Sequence, residues 1–340
     1  MTLRTADFNY FLPQQLIAQT PVEPRDSSRL LVIHRDTGAL DHRTFREIGD
    51  HLRPGDLLIA NDSRVLPGRL FARKPTGGRV ELLLLRALEP DVWEALARPA
   101  NRLRDGQPLL FGDETVPGAA VGGRTDSGAV TVRFLQPVSE LLARHGQVPL
   151  PPYIKAPLAD PERYQTVYSR IAGSAAAPTA GLHFTPSLMD ALAAQGVRFA
   201  FVTLHVGLDT FRPVQAERVI DHEMHSEFVL VPDETAAAIA DARRSGGRIV
   251  AVGTTAVRSL ESWAAQGQDS GWSGWTRLFI YPGYTFRAVD ALITNFHLPR
   301  STLLMLVSAF ATPELIKRAY DEAIAREYRF FSFGDATLIL

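Results

Sequence analysis

The chain has 340 residues, a formal net charge of −1 and no cysteine. The missing cysteines exclude disulfides, thiol nucleophiles, zinc sites with cysteine ligands and cysteine-bound iron–sulfur clusters. A charge near zero does not by itself indicate a nucleic-acid-binding protein, and no apolar run approaches the roughly 20 residues that span a bilayer. The N-terminal residues lack the apolar stretch of a secretion signal, so we expect a cytoplasmic protein.

The first part of the chain favours short strands. Strands are predicted at Leu30–His34 and Asp56–Ala60, with turn residues between them. Between residues 62 and 148, short apolar runs are divided by Gly, Pro and Asp, which predicts strands at Val80–Leu85, Val92–Ala97 and Ala129–Phe134. Several short strands at this spacing indicate a small β-sandwich or barrel.

After residue 148 the pattern changes to alternating strands and helices. Thr185-Pro186 predicts a helix start, because a capping residue precedes a proline in the first turn. Helices are also predicted from Asp233, at Ala256–Gln266 and at Pro313–Glu327. The remaining runs predict strands at Val197–Val206, Arg248–Val252, Thr276–Tyr281 and Arg329–Ser332. Such alternation implies crossover connections and parallel strand pairs.

Together these patterns predict an α/β protein of two domains. Residues 1–61 and 149–340 are expected to form a discontinuous large α/β domain with a mixed, largely parallel sheet. Residues 62–148 are expected to form a small β-barrel-like domain inserted into it.

The first candidate site motif is Ala177–Thr185. Small residues from Gly173 to Gly181 would allow a ligand to approach the backbone closely. His183 follows them and could act as a general acid or base, because its reference pKa lies near neutrality. The alternative is an ordinary loop in which His183 only caps a neighbouring group.

Further histidines follow at the end of a predicted strand. His205 lies near its carboxyl end, where open α/β sheets bind ligands, although a hydrogen-bonded core histidine is the alternative. His222, His225 and Glu227 are close in sequence and could supply nitrogen and oxygen ligands to a metal ion. Their spacing differs from that of H-E-x-x-H and no fourth ligand is evident, so acid–base work or substrate contact is favoured over a metal site.

Two more motifs suggest ligand contacts. Val252–Thr255 leads from a strand into a helix, and the free N–H groups of that helix would face an anion, although many such turns bind nothing. Neither a dinucleotide fingerprint nor a P-loop is present. Thr294–Pro299 contains Asn295, Phe296 and His297, where an aromatic ring could stack on a base or simply pack in a turn.

The positive charge of the chain is unevenly distributed. Residues 64–104 contain nine Lys or Arg and four Asp or Glu. This local excess could meet phosphates, although many solvated surfaces have a similar composition.

In this order, the motifs resemble one family along essentially the whole chain, most weakly at 84–145. The matching segments are Asp7–Pro13, Leu16–Gln19, Arg25–Val32, Leu52–Leu58, Asn61–Arg64, Gly146–Ile154, Arg163–Tyr168, Ala177–Thr185, Thr203–Gly207, His222–Glu227, Val252–Thr255, Phe279–Tyr284, Ile293–Pro299 and Tyr328–Asp335. The family is the S-adenosylmethionine:tRNA ribosyltransferase-isomerases of queuosine biosynthesis. Two departures are visible, Leu208-Asp209 at a step that is usually Gly-rich and Thr337 where Met is usual.

The resemblance implies a reaction and its partners. The ribosyl part of S-adenosylmethionine would be transferred to 7-aminomethyl-7-deazaguanine (preQ1) at the wobble position of a tRNA with a GUN anticodon, giving epoxyqueuosine-tRNA, adenine and methionine. S-adenosylmethionine would be a consumed substrate, with no cofactor and no metal. We expect a monomer. A methyltransferase and a catalytically silent tRNA-binding module are the rival hypotheses.

The resemblance and this chemistry together suggest site residues. The acid–base candidates are His183, His205, His225 and Glu227. The substrate-binding candidates are Pro178, Thr179, Gly181, His222, Gly253, Thr254, Thr255, Arg258, Asn295, Phe296 and His297, of which Gly253–Thr255 and Arg258 would bind the methionine carboxylate. The candidates for tRNA phosphate contacts are Arg64, Arg69, Arg73 and Arg79.

Overall fold

The computed structural model describes residues 3–125, 128–207, 214–267 and 269–340. The chain divides into two compact units. The large unit comprises Met1–Arg64, Pro151–Ile171 and Ala177–Leu340, and the barrel unit comprises Val65–Leu150 and Ala172–Ala176. Leu208-Asp209, the first departure from the family pattern, lies outside the described residues.

The regular elements are numbered here along the chain. The strands are β1 Arg29–Ile33, β2 Leu40–Thr44, β3 Leu57–Asn61, β4 Ser63–Val65, β5 Arg69–Arg73, β6 Arg79–Ala87, β7 Val92–Arg98, β8 Pro108–Phe111, β9 Ala119–Arg124, β10 Val130–Phe134, β11 Ile171–Ser174, β12 Arg198–Leu204, β13 Glu227–Val231, β14 Ile249–Val252, β15 Trp272–Thr276, β16 Ala291–Asn295 and β17 Ala336–Ile339. The helices are α1 Val138–His145, α2 Pro186–Ala194, α3 Asp233–Arg244, α4 Thr254–Ala265, α5 Thr302–Phe310 and α6 Pro313–Ala325.

The large unit is built on one mixed sheet. In the described ranges its strand order is β15-β13-β12-β3-β14-β16-β17-β1-β2. The four central strands β12, β3, β14 and β16 run parallel, and β13, β15, β17 and β2 each pair antiparallel with a neighbour. The carboxyl ends of the central strands therefore meet at one edge of the sheet, which is where ligands bind in folds of this kind.

The centre of this sheet is apolar on both faces. Leu58 and Ile293 on one face, and Ile59 and Leu292 on the other, are all fully buried, and burying a side chain of this size contributes about 1.5–3 kcal/mol. Helix α2 begins as predicted, because the Thr185 hydroxyl accepts a hydrogen bond from the Leu188 N–H at 3.2 Å and Pro186 follows it. None of the helices in the described ranges is long and apolar enough to cross a membrane.

The barrel unit closes on itself. Its described strands form an antiparallel barrel in the order β10-β7-β6-β5-β8-β9, and Leu82, Leu109 and Val132 fill its interior. Helix α1 packs Leu141 against the same core. The predicted fold class, an α/β protein with a mixed sheet and a small barrel, is thereby confirmed, with the parallel pairs concentrated in the middle of the sheet.

Two predicted strands are wrong. The strand expected at Thr276–Tyr281 ends at Thr276, because β15 pairs with β13 over residues 272–276 and Arg258 binds the Leu278 carbonyl instead. The strand expected at Arg329–Ser332 is a turn, in which Phe331 has a φ of 71° and the Gly334 N–H donates to the Phe331 carbonyl. The strand that joins the sheet there is β17.

The second departure from the family pattern is accommodated within the sheet. Thr337 lies on β17 and is buried, and its hydroxyl donates a hydrogen bond to the Thr294 carbonyl at 3.1 Å. The hydroxyl of Thr337, at a position where the family usually has Met, therefore has the hydrogen-bond partner that a buried hydroxyl requires.

Candidate active site

The turn between β14 and α4 positions the N-terminus of a helix at the carboxyl edge of the sheet. Gly253 has a φ of +91°, a conformation that L side chains rarely adopt, and this allows the chain to turn directly from strand to helix. The first N–H groups of α4 therefore point to this edge, where they favour a negative charge.

A buried carboxylate lies beside this helix. Glu227, the first residue of β13, is 2% exposed and accepts hydrogen bonds from the Arg258 guanidinium, from His225 Nε2 at 3.1 Å and from the Gly207 N–H at 3.2 Å. Three donors, one of them a guanidinium, hold the carboxylate in its ionised form. Burial lowers the pKa of Arg258 to about 10, which still leaves it charged at neutral pH.

A pocket with an empty volume of about 420 Å³ opens above this ion pair. Two buried polar atoms there, Arg258 Nη2 and Thr255 Oγ1, have no hydrogen-bond partner among the described residues. An unsatisfied buried donor costs about 1–3 kcal/mol, so the arrangement favours an anionic ligand that accepts from both. The lining residues are Met224, His225, Glu227, Thr254, Thr255, Arg258, Leu278, Phe279, Ile280, Thr302, Leu303 and Leu306.

Two further histidines do not line the pocket and are held in their neutral form. Burial lowers the pKa of His205, with Asp62 opposing this shift, and His205 Nδ1 is buried without a partner in the described part of the chain. Burial and then the neighbouring His225 lower the pKa of His222, whose ring meets that of Phe279 edge to face at 5.3 Å. Both imidazoles can accept a proton.

His183 belongs to a separate buried cluster at the same edge. Its Nδ1 lies 2.7 Å from the Ser28 hydroxyl, and its Nε2 accepts from the Asn295 amide at 3.1 Å. Thr179 donates to Asn295 Oδ1 at 3.0 Å, which fixes the orientation of that amide. Burial, followed by the charge of Arg25, lowers the pKa of His183 to about 3. The ring is therefore neutral, and both nitrogens are engaged.

Three of the substrate-binding candidates pack closely against residues of the chain itself, and their contacts with substrate remain predictions. A Cβ at Gly181 would lie 2.0 Å from the Tyr168 hydroxyl, so the glycine makes room for a tyrosine of the chain itself. Phe296 is 1% exposed and packs against the rings of Tyr320 and Phe330. His297 is 6% exposed, burial lowers its pKa to about 3, and its Nε2 is 2.9 Å from the Thr294 hydroxyl.

Pro178 is buried, and its carbonyl accepts from the Gly181 N–H at 2.9 Å. Its contact with substrate remains a prediction, as do those of Thr179 and Asn295. The structure brings together His225, Glu227, Thr254, Thr255 and Arg258 in one pocket, with Gly253 at the start of its helix.

Sequence reasoning missed two buried carboxylates. Asp62, 2% exposed at the end of β3, accepts from the Thr203 hydroxyl at 2.7 Å and from Arg170 at 2.9 Å. Glu261 on α4 is fully buried and accepts from the backbone N–H groups of residues 287–289. A polar run directly after an apolar strand could have indicated Asp62, but nothing in the sequence distinguishes Glu261 from a solvated helix residue.

The four arginines predicted to contact phosphate belong to different units. Arg64 belongs to the large unit, where it pairs with Glu162. Arg69, Arg73 and Arg79 lie on the β5–β6 hairpin of the barrel unit. Arg69 pairs with Glu81 at 2.8 Å, whereas Arg73 and Arg79 are directly opposite each other and Arg79 is exposed.

In the described ranges, no three His, Asp or Glu side chains gather as a metal would require. The central parallel sheet, with a pocket of acid–base and cationic groups at its carboxyl edge, has the arrangement of an α/β enzyme.

Comparison with known proteins makes the assignment specific. The family described as queuosine biosynthesis protein matches residues 5–339. A relative from Symbiobacterium thermophilum is 58% identical over 99% of this chain and 100% of its own length, and one from Thermotoga maritima is 53% identical over the same shares. Both are named S-adenosylmethionine:tRNA ribosyltransferase-isomerase.

A solved structure agrees with the sequence matches. The crystal structure of the S-adenosylmethionine tRNA ribosyltransferase from Thermotoga maritima has a TM-score of 0.59 and 43% identity, over 98% of this chain and 100% of that one. The chain belongs to the S-adenosylmethionine:tRNA ribosyltransferase-isomerase family of queuosine biosynthesis proteins. The resemblance drawn from the sequence motifs is confirmed.

Proposed function

We propose that this chain transfers and isomerises the ribosyl group of S-adenosylmethionine onto preQ1 at the wobble position of a tRNA with a GUN anticodon. The products are epoxyqueuosine-tRNA, adenine and methionine. The names of the full-length relatives support the ribosyl donor and the tRNA acceptor. The modified base and the anticodon follow from the resemblance of the motifs.

The observation that carries the proposal is the pair of unpartnered donors beside an ionised Glu227. The methionine part of S-adenosylmethionine ends in a carboxylate, which needs donors in a pocket shielded from water. Arg258 Nη2, Thr255 Oγ1 and the N-terminus of α4 supply them. We assign this corner of the pocket to the methionine carboxylate.

The reaction begins with the removal of a C5′ proton, which the adjacent sulfonium acidifies. His225 is our candidate base, because an Nε2–H donated to Glu227 leaves the basic electron pair of the ring on Nδ1. The proton moves to His225, and the electron pair of the C–H bond remains on C5′. Glu227 then acts as a positioning residue that also stabilises the imidazolium formed.

Two later steps also need proton transfer. The preQ1 amine must attack in its neutral form, and adenine must gain a proton as it leaves. His205 and His222 are our candidates, because their lowered pKa values keep them neutral and able to accept a proton from the amine, and the imidazolium formed can donate that proton to the leaving adenine. His183 becomes a positioning residue in this scheme, because both of its nitrogens are already engaged.

The products of the reaction test the proposal. The protein is incubated with S-adenosylmethionine and a tRNA carrying preQ1, and nucleosides and small molecules are measured by mass spectrometry. We expect adenine, methionine and epoxyqueuosine in equal amounts, and none of them with a tRNA that has guanine at the wobble position. S-adenosylhomocysteine with a methylated nucleoside would overturn the proposal in favour of a methyltransferase, and unchanged tRNA would favour a silent binding module.

A further inference from the structure

Three aromatic rings form a row across neighbouring strands of the large unit. Trp275 on β15 is directly opposite Phe228 on β13, with ring centroids 5.7 Å apart. The ring of His205, just beyond β12, stacks on Phe228 at 6.3 Å, and the His205 N–H donates to the Phe228 carbonyl. We call these three residues the aromatic row.

The aromatic row is accessible at its Trp275 end, whereas its other two rings are half-buried. Trp275 is 57% exposed, although burying an aromatic ring of this size removes about 150–250 Å² from water. Arg277 follows Trp275 by two residues and is exposed. Arg170, which pairs with Asp62, is 57% exposed, with its guanidinium 5.2 Å from the ring centre of Phe201 on β12, the strand that precedes His205.

The aromatic row is also adjacent to the candidate active site. Successive side chains of a strand point to opposite faces of the sheet, so Glu227 and Phe228 face opposite ways. Glu227 faces the pocket and α4, where it pairs with Arg258, while Phe228 faces the row. The Gly207 N–H, two residues after His205, donates to Glu227. Glu227 and the aromatic row therefore lie on opposite faces of the same strand, β13.

We propose that the aromatic row is a stacking surface for unpaired bases of the tRNA anticodon loop. This inference rests on the proposed function, in which a wobble base must leave its stack to reach the pocket. Its neighbours then lose their stacking partner, and the exposed Trp275 ring at the end of the row, with the exposed Arg277 two residues further on, offers a replacement. Aromatic faces and dispersed positive charge fit single-stranded nucleic acid better than an apolar protein surface.

The test measures the affinity for an anticodon stem–loop RNA with guanine at the wobble position. We expect Trp275→Ala to weaken binding about 5- to 100-fold, and Trp275→Phe to retain most of the affinity. The dependence on salt should stay the same because stacking releases no counterions. Binding of S-adenosylmethionine and of the duplex stem alone should not change. Phe11→Ala is the control, since Phe11 is 83% exposed and lies outside the row.

The possible results separate this inference from the proposed function. Unchanged stem–loop affinity in folded Trp275→Ala and Phe228→Ala proteins, alongside a wild type that forms epoxyqueuosine, would overturn the inference alone. Weaker stem–loop binding in both variants, with a wild type that forms no epoxyqueuosine, would support the row and refute the proposed reaction. Light scattering could also show a dimeric wild type and a monomeric Trp275→Ala protein. If the RNA affinity of that variant is unchanged, the row binds a second copy of the chain, and the inference is overturned.

Discussion

Glu227 and Arg258 are nearly fully buried, so each depends on the other for charge compensation. Removing one partner of a buried ion pair costs about 3–5 kcal/mol, because the remaining charge is left uncompensated. We therefore expect Glu227→Gln to lower the free energy of unfolding by about this amount. We also expect kcat to fall about 10²- to 10⁴-fold, because His225 loses its partner.

The exposed pair Arg218–Asp221 provides the matched control for this variant. Asp221→Asn should change stability by less than about 1 kcal/mol and leave kcat unchanged. Urea unfolding and single-turnover release of adenine measure the two quantities. A Glu227→Gln protein with the stability and kcat of the wild type would show that the ion pair serves neither purpose.

Arg258→Lys separates charge from geometry at the same site. Lysine keeps the positive charge but cannot both satisfy Glu227 and present a second nitrogen to a ligand carboxylate. We expect KM for S-adenosylmethionine to rise about 10- to 100-fold, the effect of losing a charge-assisted hydrogen bond, with a smaller change in kcat. A fall in kcat at unchanged KM would instead place this guanidinium at the reacting atoms.

The buried histidines make stability depend on pH. Burial lowers the pKa of His297 to about 3 in the folded protein, whereas its ordinary value is about 6.5. Between these values the unfolded chain binds the extra proton, so stability is fully present above about pH 6.5 and falls with decreasing pH. Each such histidine contributes a slope of about 1.4 kcal/mol per pH unit. In urea unfolding between pH 7 and 5, His297→Gln should show a smaller slope than the wild type. An equal slope would mean that His297 is charged in the folded state.

At the scale of elements, local signals were enough to predict most of the large unit. A cap and a proline fixed the start of α2, and alternation of apolar runs indicated the parallel strands. The error at residues 276–281 arose because the chain there is apolar enough for a strand, while the β13–β15 register and the Arg258 contact end the strand at Thr276. Register and side-chain contacts between distant segments are tertiary information that a local pattern does not contain.

The same limit applies to the position of aromatic side chains. Phe296 and Phe279 both occur beside polar residues in loop-like motifs, and only the packed structure places the first in the core and the second at the pocket. The placement of the pocket-lining residues on α4 is more predictable. The strand-to-helix turn indicates Thr254 and Thr255 at the helix start, and helical spacing puts Arg258 one turn further on.

The β5–β6 hairpin of the barrel unit gives a prediction at this scale. Arg73 and Arg79 are directly opposite, and like charges in this arrangement repel until an anion intervenes. If tRNA phosphates bind there, Arg79→Ala should weaken binding to all tRNA sequences and reduce the salt slope by about one unit. Arg69→Ala should have a smaller effect, because Arg69 already pairs with Glu81. Unchanged affinity and slope in both variants would place the phosphate contacts elsewhere.

At the scale of the whole molecule, composition and charge pairing together limit the chemistry available. The chain has no cysteine, and its most ligand-like group, His222, His225 and Glu227, has its carboxylate paired with a buried guanidinium. A cation placed there would have to displace Arg258 or lie next to its charge, which costs electrostatic energy in a buried setting. The catalytic groups are therefore expected to work by proton transfer and anion binding.

This leads to a prediction for the complete enzyme. After exhaustive treatment with a chelator, the protein should convert a preQ1-containing anticodon stem–loop at the same rate as untreated protein. The stem–loop is preferred to whole tRNA, since a duplex with one loop folds in monovalent salt and the assay then reports on the protein alone. Loss of activity that zinc or manganese restores would show that His222, His225 and Glu227 bind a metal. In that case the Arg258–Glu227 pair would have to open during turnover, and Glu227→Gln would abolish the metal response together with the activity.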